Sequence, residues 1–391
     1  MKKVFLSVLT GTLIFASCNG TSAKTPENKS ISSTEKGDSI LSAKTNSIKD
    51  SIYIDSFLTD ISKTIGGIDN NFAKKRKLAI AFDNHVDVEY ASFDKSKINP
   101  IKSWVKERSL VPEEKKCNTL FYPLAGADFA YANAFFKDVE NYILVGLEKP
   151  GYLPNYNSFN NNAIESYRSH IFNSLGVSMR SGFFVTKKMK VHFNQKVVNG
   201  TIHSLLFYLA RSGNKIRKIN HFKIQDDATL KLTSGNEVMQ SPGIEIEFLT
   251  PENKVKHLYY YSFDLSDNNP KIDNLFKWVS SFGEHHAMLK AASYLNSNSF
   301  FSKTRNYILN SSNMLVQDDS GIPYKYFVDG KWNINLYGVY KRVLPIFRSY
   351  IQRDMIAAYN DSTKLITSNL PFGIGYNTAF GETNIQVFYK K

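Results

Sequence analysis

The chain has 391 residues, of which 42% are hydrophobic, and a formal net charge of +14. That is ample for a sizeable core, in one large domain or two intimately packed ones. The positive balance points to anionic envelope polymers or lipid headgroups as partners, although joint enrichment in Lys, Asn, Ile, Phe and Tyr is also what an AT-rich genome encodes.

The chain opens on Lys2 and Lys3, runs through an apolar stretch, and reaches small residues immediately before Cys18. This resembles a bacterial lipoprotein signal. The resemblance implies cleavage between Ser17 and Cys18 and a diacylglyceryl thioether on the Cys18 sulfur. The apolar stretch is shorter than the roughly 20 residues a bilayer-spanning helix needs. One acyl chain anchors only marginally, so further chains, palmitate among them, are expected. The expectation is a lipid-anchored cell-envelope protein outside the cytoplasm, at the periplasmic face of the outer membrane where the host has two membranes. Nucleic acid is not a partner in that compartment. With Cys18 lipidated, Cys117 has no disulfide partner and reads as a small apolar core residue on a buried strand.

Residues 18–47 are polar and cannot bury enough surface to fold, so they read as a disordered tether. The organisation is therefore a leader at 1–17, the tether at 18–47 and a single α+β domain at 48–391. The first helix carries Ile48, Ile52, Phe57, Leu58, Ile61 and Ile65 at helical spacing and stops at Gly66-Gly67. A second helix covers 100–110. Strands follow at 119–124 and 142–147, separated by a short segment at 128–136. Further helices read at 162–175, 201–211, 272–282, 287–295, 301–314 and 345–359. Strands read at 216–224, 244–249, 257–265, 324–328, 332–337 and 385–389. Asp329-Gly330 between two aromatic-rich runs signals a two-residue hairpin. Intermixed helices and strands point to an α+β fold, a mixed sheet with flanking helices, with a Rossmann-like βαβ unit near 117–148 as one reading.

That reading rests on the run from Phe121 to Phe136, where a strand leads through Pro123 and Gly126 into a short helix containing Asn133. The following strand ends at Glu148. The distance from Gly126 to Glu148 fits the acid that meets a ribose in nucleotide-binding βαβ units, but only one of the three fingerprint glycines is present. The alternative has Asp128 capping the short helix and Glu148 merely ending a strand. Asp318-Asp319 is the best carboxylate pair. Neighbours on an extended segment face opposite ways, unless Ser320-Gly321 turns the chain. One carboxylate then serves as a general base or as an acceptor for sugar hydroxyls, or the pair caps its own turn. Tyr324 follows closely as a further ligand-binding candidate. None of the eight histidines has the spacing of a zinc motif, and Glu284-His285-His286 reads as a helix opening. No metal and no cofactor is assigned.

Three stretches, FYPLAGADFAYANAFF at 121–136, QDDSGIPY at 317–324 and LPFGIGY at 370–376, resemble an uncharacterised family of secreted bacterial proteins. The resemblance spans most of the chain after the tether and implies no mechanism. The leading functional expectation is a lipid-anchored protein that binds or scaffolds an envelope or extracellular polymer through an aromatic and acidic cleft. Its partners are then the membrane, through the N-terminal lipid, and a glycan, peptide or envelope protein. The alternative is a hydrolase of glycan or peptide that draws acid and base from Asp128, Glu148, Asp318 or Asp319.

Overall fold

Short runs such as Leu120-Phe121-Tyr122 and Ile143-Leu144-Val145 are apolar on both faces, the composition of parallel strands covered by helices on both sides. The computed structural model describes residues 53–183, 198–376, 378 and 382–391. Cys18, the leader and the expected tether lie outside the described residues. In chain order the strands are β1 (Thr119–Tyr122), β2 (Asn141–Gly146), β3 (Lys215–Ile224), β4 (Leu230–Thr233), β5 (Gly243–Leu249) and β6 (Val255–Ser262). They continue as β7 (His285–Leu289), β8 (Ser312–Gln317), β9 (Trp332–Gly338), β10 (Leu365–Thr367) and β11 (Asn384–Lys390). All eleven join one sheet in the order β10-β9-β11-β8-β7-β1-β2-β6-β5-β3-β4. The α+β fold with a mixed sheet is thus confirmed.

The centre of the sheet, β8-β7-β1-β2-β6, is wholly parallel. Antiparallel strands extend it on both sides: β5 pairs with β6, and β11 pairs with β8. The βαβ unit is real. β1 leads into α5 (Phe129–Phe135) and returns as β2 alongside it, with Thr119 opposite Asn141.

Period-two alternation along the strands divides the core in two. Tyr122, Leu144, Tyr260 and Met288 pack on one face, beneath the N-terminal helices α1 (Ser56–Ile65), α2 (Asn71–Arg76), α3 (Ile80–Phe93) and α4 (Asn99–Glu107) together with α5, α6 (Asn161–Ser181) and α7 (Ile202–Arg211). Phe121, Ile143, Tyr259, Tyr261 and Leu289 pack on the other, against α8 (Ile272–Ser280), α9 (Ser302–Ser311) and α10 (Arg353–Asn360). Phe129 shows the density of the first layer: it is fully buried, with its ring edge-on to Tyr142 at 5.2 Å and Phe248 at 5.7 Å. Among the described residues, no helix is long and apolar enough to cross a membrane.

Several expected elements are corrected. The helix at 287–295 is instead the end of β7 and the loop after it, so His285 and His286 open a strand and not a helix. Every residue of β7 is buried, which removes the alternation that separates strand from helix in a short apolar run. The helix at 301–314 stops at Ser311, and the chain continues directly into β8. The strand at 324–328 is a 3-10 turn, Tyr324–Tyr326, so Asp329-Gly330 joins no hairpin; β9 pairs with β10 and β11 instead. The helix at 345–359 divides into a 3-10 segment, Pro345–Tyr350, and α10. Cys117 precedes β1 and is only partly buried. Helices α2 and α3 and strands β4 and β10 had no clear periodic signal; α3 buries only Val86 and Phe93.

Candidate functional site

Counted in chain order, the parallel strands β1, β2, β6, β7 and β8 are first to fifth, and they lie as third-second-first-fourth-fifth across the sheet. The chain steps outward from β1 on one side and then returns to β1's other side to start β7. The two loops that leave β1 and β7 at their carboxyl ends therefore diverge, and a crevice opens between them. This is where open α/β sheets bind ligands. A cavity of about 390 Å³ occupies it, lined by residues that follow β1, β2, β6 and β7. That volume falls within the range of small-molecule sites.

Both diverging loops carry unusual backbone. Leu124 after β1 has φ +61°, and after β7 Ala291, Ser293 and Tyr294 have φ +50°, +54° and +56°. None is glycine, so each holds a left-handed conformation that costs about 1–3 kcal/mol and persists only where its surroundings enforce it. Leu124, Ala291 and Ser293 all line the cavity. The crevice floor is equally tight. Gly146 ends β2 where a Cβ would meet the Tyr260 hydroxyl at 2.6 Å and Gly126 Cα at 3.0 Å, so the β1 loop lies directly on β2.

Lys290, the first residue after β7, reaches across the crevice. Its Nζ lies 2.9 Å from Asp128 Oδ2, stands 3.7 Å from the centre of the Tyr131 ring and donates to the Gly182 carbonyl. Asp128 also accepts from the Tyr122 hydroxyl at 2.8 Å. Its carboxylate is therefore chiefly a cross-sheet anchor, with the Tyr131 N–H in the first turn of α5 as a weaker partner. Burial pushes its pKa up while Lys290 opposes the shift.

The second carboxylate group lies behind this wall. Asp318 accepts from the Ala291 N–H at 2.8 Å, from the Ser320 N–H at 2.9 Å and from the Ser320 hydroxyl. Its role is to hold the strained β7 loop and its own turn. Gly375 packs on the same carboxylate; with φ +74°, a Cβ there would lie 2.5 Å from Asp318 Oδ2. Asp319 points elsewhere, accepting from the Tyr294 hydroxyl and from Asn384 Nδ2 at 3.0 Å. Burial and the neighbouring Asp318 charge push Asp319 up to about 7. Neither aspartate is on the cavity wall.

Of the six candidates inside the described residues, the cavity gathers Asp128 and Glu148. Glu148 is buried just past the end of β2, and its carbonyl accepts from the Tyr260 hydroxyl at 2.7 Å. Asn133 belongs to packing: its Oδ1 lies 3.1 Å from the Tyr142 hydroxyl. Tyr324 is buried in its turn, with its N–H donating to Gln352 Oε1 at 2.7 Å.

Sequence reasoning missed Lys290, Tyr376 and the phenylalanines of the cavity wall. Lys290 was hidden because its segment read as a helix. The usable signal was the short apolar run Ala287-Met288-Leu289 followed, past Lys290, by the small residues Ala291-Ala292-Ser293, a buried strand and its turn. Tyr376 donates to the Ala291 carbonyl at 2.6 Å, and its ring meets Phe183 at 4.8 Å and Phe347 at 5.0 Å. With Phe263 and Phe301 these rings give the cavity an aromatic wall.

The charged lining is Asp128, Glu148 and Asp264 against Lys290, an acidic excess that opposes phosphate. No run of glycine amides replaces the missing fingerprint, since Pro123, Leu124 and Ala125 stand in that loop. The topology of a nucleotide site is present, but the residues for its pyrophosphate are not. Among the described residues, no group of three or more His, Cys, Asp or Glu side chains is placed to hold a metal ion. No family model, curated protein or solved structure matches the chain.

Proposed function

We propose that the chain is a lipid-anchored cell-envelope binding protein whose switch-point crevice takes a neutral or cationic sugar unit of an envelope or extracellular polymer. The observation that carries this reading is the pair of strained loops that meet around one aromatic and acidic cavity. Strain of that kind, placed at a topological switch point, supports a ligand site over a packing defect. Aromatic faces suit stacking on a sugar ring, and Glu148 suits acceptance from its hydroxyls. Lipid anchoring rests on the sequence before and including Cys18.

Binding has more support than hydrolysis. Paired-carboxylate catalysis needs two carboxyl groups flanking one substrate bond. Asp318 and Asp319 are occupied by internal donors away from the cavity, and Asp128 is held by Tyr122 and Lys290.

Titration of the full-length Cys18→Ser chain with neutral, amino and phosphorylated oligosaccharides tests the reading. Neutral or amino sugars are expected to bind, and Glu148→Gln to weaken them about tenfold or more, the worth of a hydrogen bond to a charged acceptor. Tighter binding of sugar phosphates or nucleotides than of neutral sugars would overturn it.

A further inference from the structure

A second cavity of about 610 Å³ lies at the opposite end of the same central strands, at the amino-terminal ends of β1 and β7 and between α4 and the carboxyl end of α5. It shares no lining residue with the crevice. Its interior is largely apolar, with Val105, Leu110, Phe135, Phe136 and Val139 on its walls.

Two features depart from an ordinary packing void. First, His286 lines the cavity, is only 1% exposed, and its Nδ1 has no hydrogen-bond partner among the described residues. The ring is held by stacking on Phe136, with centroids 5.3 Å apart. Burial pushes the imidazole down to about 4, so it is neutral at pH 7. A desolvated ring nitrogen left without a partner is costly, and native interiors rarely tolerate one unless something fills the need. Second, Lys102, Lys106, Lys116 and Lys137 also line the cavity. Lys116 pairs with Glu113 at 2.5 Å and Lys137 lies 3.9 Å from Asp138, whereas Lys102 and Lys106, four residues apart on α4, form no ion pair among the described residues.

We infer that this cavity is a second ligand site, for an amphiphilic acid whose apolar body lies against Phe135, Phe136 and Val139. Its acidic head meets Lys102 and Lys106, and a hydroxyl or similar group on the body meets His286. The inference is independent of the sugar-binding reading, because no residue serves both sites.

Cys117 provides the readout. It lines the cavity, and in the full-length Cys18→Ser chain it is the only cysteine. The probe is 10-hydroxydecanoate, with 1,10-decanediol as the control that lacks the acidic head and inorganic phosphate as the control that lacks the apolar body. Saturating 10-hydroxydecanoate is expected to slow alkylation of Cys117 about tenfold or more by mass action, while the diol and phosphate leave the rate within about twofold. Lys102→Glu with Lys106→Glu, two exposed positions where substitution is tolerated, is expected to abolish the protection without changing the unliganded melting temperature. His286→Phe, which keeps the stacking ring, is expected to weaken it. Absence of protection by 10-hydroxydecanoate would overturn the inference. So would equal protection by the diol or by phosphate, or protection that survives the double lysine variant.

Discussion

Lys290 and Asp128 form an ion pair across the switch point, Nζ to Oδ2 2.9 Å, with neither side chain more than 6% exposed. The two residues belong to the diverging loops themselves, so the pair fixes the width of the crevice. Lys290→Met would leave the Asp128 carboxylate buried without its cation. The expected loss is about 3–5 kcal/mol, read from urea unfolding at pH 7. Adding Asp128→Leu to it is expected to recover much of that loss, since a buried pair is often replaceable by apolar residues of similar volume. A loss below about 1 kcal/mol for Lys290→Met alone would mean that the pair does not hold the loops.

Asp319 makes stability depend on pH in a defined direction. Its folded pKa is raised to about 7 from an ordinary value near 4, so the native state binds the proton more tightly than the unfolded chain. The resulting stabilisation is fully present below about pH 4 and is lost as pH rises through about 7. Asp319→Asn keeps the shape and removes the titration. It is therefore expected to be more stable than the wild type at pH 8, by about 1 kcal/mol or more, and to lose that advantage at pH 5. Denaturant midpoints of both chains at the two pH values decide it; a constant difference would assign the effect to packing.

Gly146 tests the floor of the crevice. In Gly146→Ala the new Cβ would meet the Tyr260 hydroxyl and Gly126 Cα, so β1's loop must lift from β2. Overpacking of this kind costs about 1–3 kcal/mol. Tyr260→Phe in the same chain removes the hydroxyl and is expected to recover part of it. A melting temperature unchanged by Gly146→Ala would show that the loop has room to move.

The mixed sheet and the β1-α5-β2 unit were legible in the sequence, because short apolar runs such as Ile143-Leu144-Val145, bounded by turn residues such as Pro123 and Gly126, mark buried strands. The switch point was not. It depends on β7 and β8, which are buried on both faces and were read as a helix and a helix end. With β7 lost, Lys290 fell on a helix and Asp128 had no visible partner, leaving Asp128 a cap and Asp318-Asp319 an isolated turn. Asp318 was correctly placed in a turn that bonds to itself through Ser320. Its hold on Ala291 could not be read, because 27 residues separate them in the chain.

Cys18 carries the anchoring half of the proposal. Chains expressed in a bacterium fed labelled palmitate are expected to take up label and partition with membranes, and Cys18→Ser to do neither. Label retained by Cys18→Ser would place the acyl chains elsewhere. Membrane partitioning without label would require a different anchor.

The central claim concerns the crevice, and a crystal structure or a nuclear magnetic resonance titration with the tightest-binding oligosaccharide addresses it most directly. The expected result is a sugar ring seated between the loops after β1 and β7, with the signals of Leu124, Glu148, Ala291, Ser293 and Tyr376 moving together and the surroundings of Cys117 unchanged. A sugar bound elsewhere on the surface, with these residues undisturbed at saturation, would contradict it.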